Sequence, residues 1–108
     1  MVDRKYHTFA EFWPFYVREH AEPRNRLAHV VGTTMVVALA LAAAFLGKPS
    51  LLVLMPIAGY GLAWVGHFRL QRNVPATFTY PVWSLCADFK MWALTLTGRM
   101  QTELDRHC

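Results

Sequence analysis

The chain has 108 residues, which is enough for one domain with a modest core and too few for two. Hydrophobic residues make up 55% of it and the mean hydropathy is +0.21, both high for a soluble protein of this size. The net charge of +4 comes from residues that flank apolar runs and forms no basic motif, so we expect no nucleic-acid partner. The composition predicts one membrane-embedded, all-α domain over residues 1–108, with a very apolar soluble helical bundle as the alternative.

The amino-terminal part predicts an amphipathic helix over about residues 9–20. Thr8 with Glu11 is a capping-box pattern, which is typical of a helix start. Four side chains follow one another at steps of four, three and four residues and therefore share one helical face: Phe9, Trp13, Tyr16 and His20. We interpret this aromatic stripe as packing at the membrane interface, where amphipathic aromatic helices commonly lie.

Two uncharged runs, residues 30–47 and 49–66, follow this helix. Each is 18 residues long, close to the roughly 20 residues needed to cross a bilayer core of about 30 Å. We therefore predict a two-helix transmembrane hairpin, over about 27–47 and about 50–68, with a glycine and a proline at the turn between the helices.

The basic residues indicate how this hairpin would be oriented. One of them, Lys48, lies between the two runs, and two follow the second run, Arg69 and Arg72. The others precede the first run: Arg4, Lys5, Arg18, Arg24 and Arg26. Positively charged flanks of membrane helices tend to stay on the cytoplasmic side. We therefore predict an integral membrane protein whose amino terminus and 69–75 segment face the cytoplasm.

A last helix is predicted over about residues 82–100, before a polar tail. Asp88 and Lys90 interrupt its apolar residues, so it is either a third membrane element with a buried acid or an interfacial helix. Asp88 is correspondingly either a functional intramembrane acid or a surface partner of Lys90 or Arg99. The two cysteines lie far apart and form no CxxC motif, and we interpret them as free thiols.

The hairpin predicts that two histidines meet. Pairing residues outward from the turn brings His29 level with His67 at the cytoplasmic edge of the membrane, and a short linker joins His20 to the same place. Asn25 lies one turn before His29, and Gln71 lies one turn after His67. A single histidine at a membrane edge is usually interfacial, but three imidazoles near one point suit iron, zinc or copper. The amides could then hold the ring N–H groups or complete the ligand set.

Several segments, in this order and spacing, resemble one family of small membrane proteins. They are a histidine four residues after Tyr16, then "NRLAH" with a glycine three residues later, then "GYGLAWVGHF" and "NVPATFTYPVWSL". The family includes the fungal endoplasmic-reticulum dioxygenase of fatty-acid alpha-oxidation. The resemblance extends from about Phe9 to Met100 and is greatest to the short bacterial members, which implies a protein of the bacterial inner membrane.

The resemblance implies an iron(II)-dependent dioxygenase that uses O₂ to shorten a 2-hydroxy fatty acid by one carbon. The family's histidines correspond to His20, His29 and His67, which are implied as iron ligands or as essential to them. Asn25 matches the family position one turn before the second histidine. The resemblance also implies a glutamate where this chain has Gln71.

This replacement bears on which residues act in catalysis. We expect Asn25, Gln71 and Asp88 to be the polar catalytic residues, with Asp88 able to take the role of the missing acid. Arg26 and Arg69 are expected either to attract the substrate carboxylate or only to flank the membrane.

Two other functions remain open from the sequence. One is a metal-free membrane scaffold or lipid-binding protein with interfacial histidines, and the other is a haem protein with His29 and His67 as axial ligands. The expected partners are the bilayer and a fatty-acyl or other lipid substrate, and a homo-oligomer is possible.

Overall fold

The fold is all-helical in this computed structural model, which describes residues 5–108; Arg4, one of the predicted flanking charges, lies outside them. The five α-helices are α1 (Phe9–Arg18), α2 (Pro23–Leu46), α3 (Leu54–Val65), α4 (Pro81–Leu96) and α5 (Met100–His107). A 3₁₀ turn, Pro49–Val53, leads into α3, and a π-helical turn, Gly66–Gln71, continues from its end. The described residues contain no β-strand, so the predicted fold class is confirmed.

The helix α1 begins as predicted but packs differently. The Thr8 hydroxyl accepts a hydrogen bond from the Glu11 backbone N–H at 3.2 Å, as the capping pattern indicates. Its aromatic face is not a membrane-interface surface, however, because Phe12, Trp13 and Tyr16 are buried inside the protein. The interfacial interpretation is therefore wrong for this face. The sequence did not reveal that the aromatic residues before and within α4 cover it.

The predicted hairpin is present, with somewhat longer arms. Two helical segments of the described chain, Pro23–Leu46 and Pro49–Gln71, are long and apolar enough to cross a membrane. Only 17% of the most apolar stretch of each is buried inside the protein, whereas a core helix of a soluble bundle would be mostly buried. The first arm starts before residue 27 because Pro23 suits the first turn of a helix and the Glu22 side chain accepts from the Arg24 N–H at 3.0 Å.

Glycines set how closely the two arms approach. A Cβ atom added at Gly32 would lie 3.3 Å from Leu62 Cβ and 3.4 Å from the Gly59 carbonyl oxygen. A Cβ added at Gly59 would lie 3.0 Å from Val36 Cγ2. This close contact between α2 and α3 is typical of small residues in membrane helix pairs, and it fixes the register of the hairpin.

The predicted helix over 82–100 is two helices. Gly98, at φ 74°, adopts the left-handed conformation that commonly ends a helix, and α5 then begins at Met100. The polar tail is thus helical, and it packs back on α1 because the Trp13 Nε1–H donates to Glu103 Oε1 at 2.6 Å. At 16 residues α4 extends about 24 Å, shorter than a bilayer core of about 30 Å, so it lies outside the two candidate spans.

Candidate metal centre

Three buried histidines from three parts of the chain meet at one point. His20 follows the end of α1, His29 lies in the second turn of α2, and His67 lies in the π-helical turn after α3. Their exposed fractions are 1%, 4% and 2%, and their ring centroids lie 4.4 to 4.8 Å apart. The prediction that the hairpin register would bring His29 to His67, with His20 beside them, is confirmed.

Each ring is held through its Nδ1 atom. His20 Nδ1 lies 2.6 Å from the carbonyl oxygen of Tyr16, and His29 Nδ1 lies 3.0 Å from the carbonyl oxygen of Asn25. His67 Nδ1 lies 2.7 Å from the side-chain oxygen of Asn73. Carbonyl oxygens only accept hydrogen bonds, so all three Nδ1 atoms carry the proton. The three Nε2 atoms therefore keep their lone pairs free to act as ligands.

The Nε2 atoms are close enough to share one metal ion. The distance between His20 Nε2 and His29 Nε2 is 3.2 Å, and the potential ligand atoms of the three histidines all lie within 4.8 Å of one another. Metal–nitrogen bonds of about 2.1 Å at angles of about 90–110° separate two ligand nitrogens by roughly 3.0–3.4 Å. The His20–His29 pair already has this separation, and the three imidazoles together could hold one metal ion. This donor set suits iron, zinc or copper.

The charge state of His20 also fits a ligand. Burial, and next to it the neighbouring His29 and His67, hold the pKa of His20 well below its usual value. A neutral imidazole is the form that binds metal. His20 consequently offers a neutral nitrogen donor at neutral pH.

The buried Tyr16 and the half-buried Asp88 form a pair next to His20. The Tyr16 ring stacks on the His20 ring with centroids 3.9 Å apart, and its hydroxyl donates a hydrogen bond to Asp88 Oδ1. Burial raises the pKa of Asp88 to about 7, although the Tyr16 hydrogen bond acts in the opposite direction. Within residues 5–108, Asp88 forms an ion pair with neither Lys90 nor Arg99. The prediction that it pairs with one of them at the surface is therefore wrong, and its partner is Tyr16.

Two cavities adjoin the histidines. A small one, of about 20 Å³, touches all three rings and is bounded on the α4 side by Ser84 and Asp88. A larger one, of about 230 Å³, begins at His29 and Asp88 and runs between α3 and α4 over a floor formed by α2. It exists because α3 and α4 both pack against α2 and make few contacts with each other.

Asn25 and Gln71 lie behind the histidines, outside both cavities. Asn25 is fully buried, and its Nδ2 donates to Gln71 Oε1 at 2.8 Å. Gln71 Oε1 also accepts from the backbone N–H of Glu22 at 3.2 Å. The pair thus ties the start of α2 to the π-helical turn and stabilises the positions of His29 and His67. Their catalytic roles stay predictions, and the geometry gives them a structural one.

The two predicted carboxylate-binding arginines also lie outside the two cavities that adjoin the histidines. Arg26 Nη1 donates to the carbonyl oxygens of His20 and Ala21, at 2.9 and 2.7 Å, and so fixes the linker that carries His20. Arg69 is exposed and lines neither the large nor the small cavity. Their binding of a substrate carboxylate stays a prediction.

Sequence reasoning missed Asn73 and Ser84. Asn73 follows His67 by six residues, a spacing that no helical period predicts. The two meet because Arg72, in the left-handed conformation, ends the π-helical turn and folds Asn73 back onto His67. Ser84 was detectable, since it lies one helical turn before Asp88 on α4 and so shares its face.

One comparison with known proteins identifies a family. Residues 6–100 match the family described as 2-hydroxy-palmitic acid dioxygenase Mpo1-like. No curated protein and no solved structure matches the chain. The matched segment covers nearly the whole sequence and includes all three histidines, so the chain belongs to the Mpo1-like family.

Proposed function

We propose that the protein is an iron(II)-dependent dioxygenase that shortens 2-hydroxy fatty acids by one carbon. The observation that carries this proposal is the set of three buried imidazoles whose Nε2 atoms converge while every Nδ1 is held by a carbonyl oxygen. The description of the family, which names a 2-hydroxy-palmitic acid dioxygenase, supports the substrate class and O₂ as co-substrate. A fatty acid is also suited to a site beside two apolar helices.

The chain's own residues supply positioning and proton handling. When bound, iron(II) would activate O₂ and hold the oxygens of the substrate. His20, His29 and His67 would hold that iron, and their Nδ1 hydrogen bonds keep the rings from turning away. Asp88 can hold or release a proton near neutral pH at a point shared by both cavities. Burial of the histidines excludes bulk water from the site.

The same geometry disfavours the bis-histidine haem protein. Two axial imidazoles must leave a plane between them for the macrocycle, whereas these three rings contact one another with centroids 4.4 to 4.8 Å apart. The cavity of about 20 Å³ that touches them is far too small for a porphyrin.

An oxygen-uptake experiment tests the proposed function. The protein is purified anaerobically in mild detergent, its iron content is measured, and O₂ consumption is followed with 2-hydroxypalmitic acid and added iron(II). We expect one iron per chain, O₂ uptake, and an acid one carbon shorter. His67→Ala should lose both iron and turnover, because two imidazoles hold a metal weakly.

His7→Ala is the matched control, because His7 is exposed and lies outside the metal centre. We expect it to keep iron and turnover. A wild-type protein that binds no stoichiometric iron and consumes no O₂ with the 2-hydroxy acid would contradict the proposal and would favour the scaffold or lipid-binding alternative.

A further inference from the structure

The side of α4 that faces the histidines carries two kinds of residue in neighbouring rows. Ser84 and Asp88, one turn apart, bound the small cavity next to the imidazoles. Leu85 and Phe89, also one turn apart, line the larger cavity. Polar and apolar rows thus run side by side from the metal centre outward. This arrangement matches a ligand with an oxygenated head and an apolar tail.

Ser84 is the polar group that the protein itself leaves unpaired. Its side chain is 4% exposed, and its Oγ has no hydrogen-bond partner within the described part of the chain. A buried hydroxyl without a partner is costly, so such groups are rare in folded proteins. A ligand oxygen in the small cavity would accept its hydrogen bond.

The larger cavity continues from this point towards the interior of the hairpin. Its floor runs from His29 through Thr33 to Val36, a rise of about 10 Å along α2. Along α3 it is lined from Ala63 to Met55, so it points towards the turn between the two candidate membrane spans. Apart from the His29 and Asp88 end and the hydroxyls of Thr33 and Tyr60, its lining is apolar.

We propose that α4 binds the substrate of this centre at two points. Ser84 hydrogen-bonds the 2-hydroxy-carboxylate head, and the groove between α3 and α4 holds the first part of the acyl chain. This inference rests on the proposed function for the identity of the head group. The occupant is the single acyl chain of that acid, because the cavity of about 230 Å³ is lined mostly by apolar residues and begins beside the metal centre. The rest of a long chain passes beyond Met55 into the surrounding lipid.

We expect the groove to orient the acyl chain more than to increase the affinity for the acid. An acyl chain that leaves the bilayer for this groove exchanges one apolar environment for another, so its transfer contributes little free energy. Its walls instead direct the second carbon of the acid towards the three Nε2 atoms. Blocking the groove should therefore lower turnover of long-chain acids without removing the metal.

Photolabelling of the purified protein tests the groove directly. The probe is 2-hydroxypalmitic acid with a diazirine near the middle of its chain, and mass spectrometry locates the label. We expect labelling of the α3 segment Met55–Ala63 and the α4 segment Leu85–Phe89. Leu85→Trp, which fills the groove from an exposed position on α4, should reduce this labelling at least fivefold and lower turnover of 2-hydroxypalmitic acid, with unchanged metal content.

Val82→Trp is the matched control, because Val82 is exposed on the same helix and lines none of the cavities described here. It should leave labelling and turnover near wild type. Equal effects of Leu85→Trp and Val82→Trp would overturn the proposal that the groove binds the acyl chain. So would labelling of the groove by a diazirine phospholipid that equals its labelling by the 2-hydroxy acid probe.

Ser84→Ala tests the head-group contact. In competition with the photoprobe, 2-hydroxypalmitic acid should displace it better than palmitic acid does, and Ser84→Ala should reduce that preference about fivefold. A purely structural role of Ser84 would weaken both competitors alike. Ser50→Ala, which removes an exposed hydroxyl at the hairpin turn, should not change the ratio. An unchanged ratio in Ser84→Ala would overturn this part of the proposal.

The two levels of proposal fail in different ways. Labelling of the groove by the 2-hydroxy acid in a protein that consumes no O₂ would contradict the dioxygenase and keep the binding site. O₂ uptake that is equally insensitive to Leu85→Trp and Val82→Trp would keep the dioxygenase and contradict the site.

Discussion

Asn73 fixes the His67 ring from the side opposite the other histidines. Its Oδ1 accepts from His67 Nδ1, while its Nδ2 donates to the Glu19 carbonyl oxygen at 2.9 Å and to Glu19 Oε2 at 2.7 Å. The two Nδ2 contacts determine which way the amide points. One side chain thus joins the metal centre to the end of α1.

We expect Asn73→Leu to weaken metal binding by 10- to 100-fold, the usual effect of losing such a supporting contact. The His67 ring would then be free to turn and to exchange its tautomer. Competition between the protein and a chelator of known affinity measures the change. Val74→Ala, at the exposed next residue, is the control. Equal affinities of Asn73→Leu and wild type would show that the hydrogen bond does not support the metal.

Asp88 gives the folded protein a pH-dependent stability. Burial raises its pKa to about 7 from the ordinary value of 3.8, so between these values the folded state keeps a proton that the unfolded chain has released. The contribution of Asp88 to the free energy of unfolding is therefore fully present below about pH 4 and is lost as the pH rises through about 7.

We expect Asp88→Asn to remove this dependence, because an amide does not titrate and can still accept from the Tyr16 hydroxyl. Between pH 5 and 8 the difference in unfolding free energy between the variant and wild type should grow by an amount on the order of 1 kcal/mol or more in favour of the variant. Thermal unfolding in detergent at several pH values measures this difference. Parallel curves for the two proteins would contradict a raised pKa.

At the scale of the helices, Gly66 and Gly61 make a matched pair of positions. A Cβ added at Gly66 would lie 2.1 Å from Asn25 Oδ1, whereas one added at Gly61 meets no heavy atom within 4 Å. Position 66 therefore has to be glycine for Asn25 to fit between α2 and the π-helical turn, whereas position 61 has no such requirement. Neither glycine has a positive φ, so alanine meets no backbone strain at either position and the comparison isolates the packing effect.

We expect Gly66→Ala to lower the free energy of unfolding by about 2 kcal/mol or more, since it displaces Asn25 and with it the contact to Gln71. Gly61→Ala should be neutral or stabilise by about 0.5–1 kcal/mol, because alanine is the better helix former. Denaturant unfolding in detergent compares them. Equal effects of the two changes would show that Asn25 has room to move.

The sequence predicted the parts of this fold that follow from local chemistry. Hairpin pairing brought His29 to His67 because two uncharged runs of equal length share one turn, and Thr8 marked the start of α1. The burial of Phe12 and Tyr16 against α4 depends on contacts between residues about 70 positions apart, which no local pattern encodes. Asn73 reaches His67 through a π-helical turn that ends at Arg72 in the left-handed conformation, and no local pattern in the sequence marks either feature.

At the scale of the whole molecule, the hairpin predicts a fixed orientation in a membrane. The metal centre, α1 and Cys108 lie together at the end of the molecule opposite the turn that follows Gly47. Cys108 lines a surface cavity with Arg26, near the linker that carries His20. We propose that this end faces the cytoplasm and that the turn faces the periplasm of a bacterial inner membrane.

Labelling with a membrane-impermeant maleimide tests the orientation in intact bacterial cells. Cys86→Ser removes the other free thiol, and Cys108 should then react only after the cells are permeabilised. A cysteine placed at the turn by Ser50→Cys, with both native cysteines replaced by serine, should react in intact cells. The reverse pattern would show the opposite orientation, and reaction of both thiols from outside would contradict a spanning hairpin.

The position of His20 outside the hairpin has a consequence for how the protein matures. The hairpin supplies only two of the three donors, and the third follows α1, which packs against α4 and α5. We therefore expect a metal with all three imidazole ligands to bind only a chain in which α1 has packed. Metal occupancy would then report the complete fold.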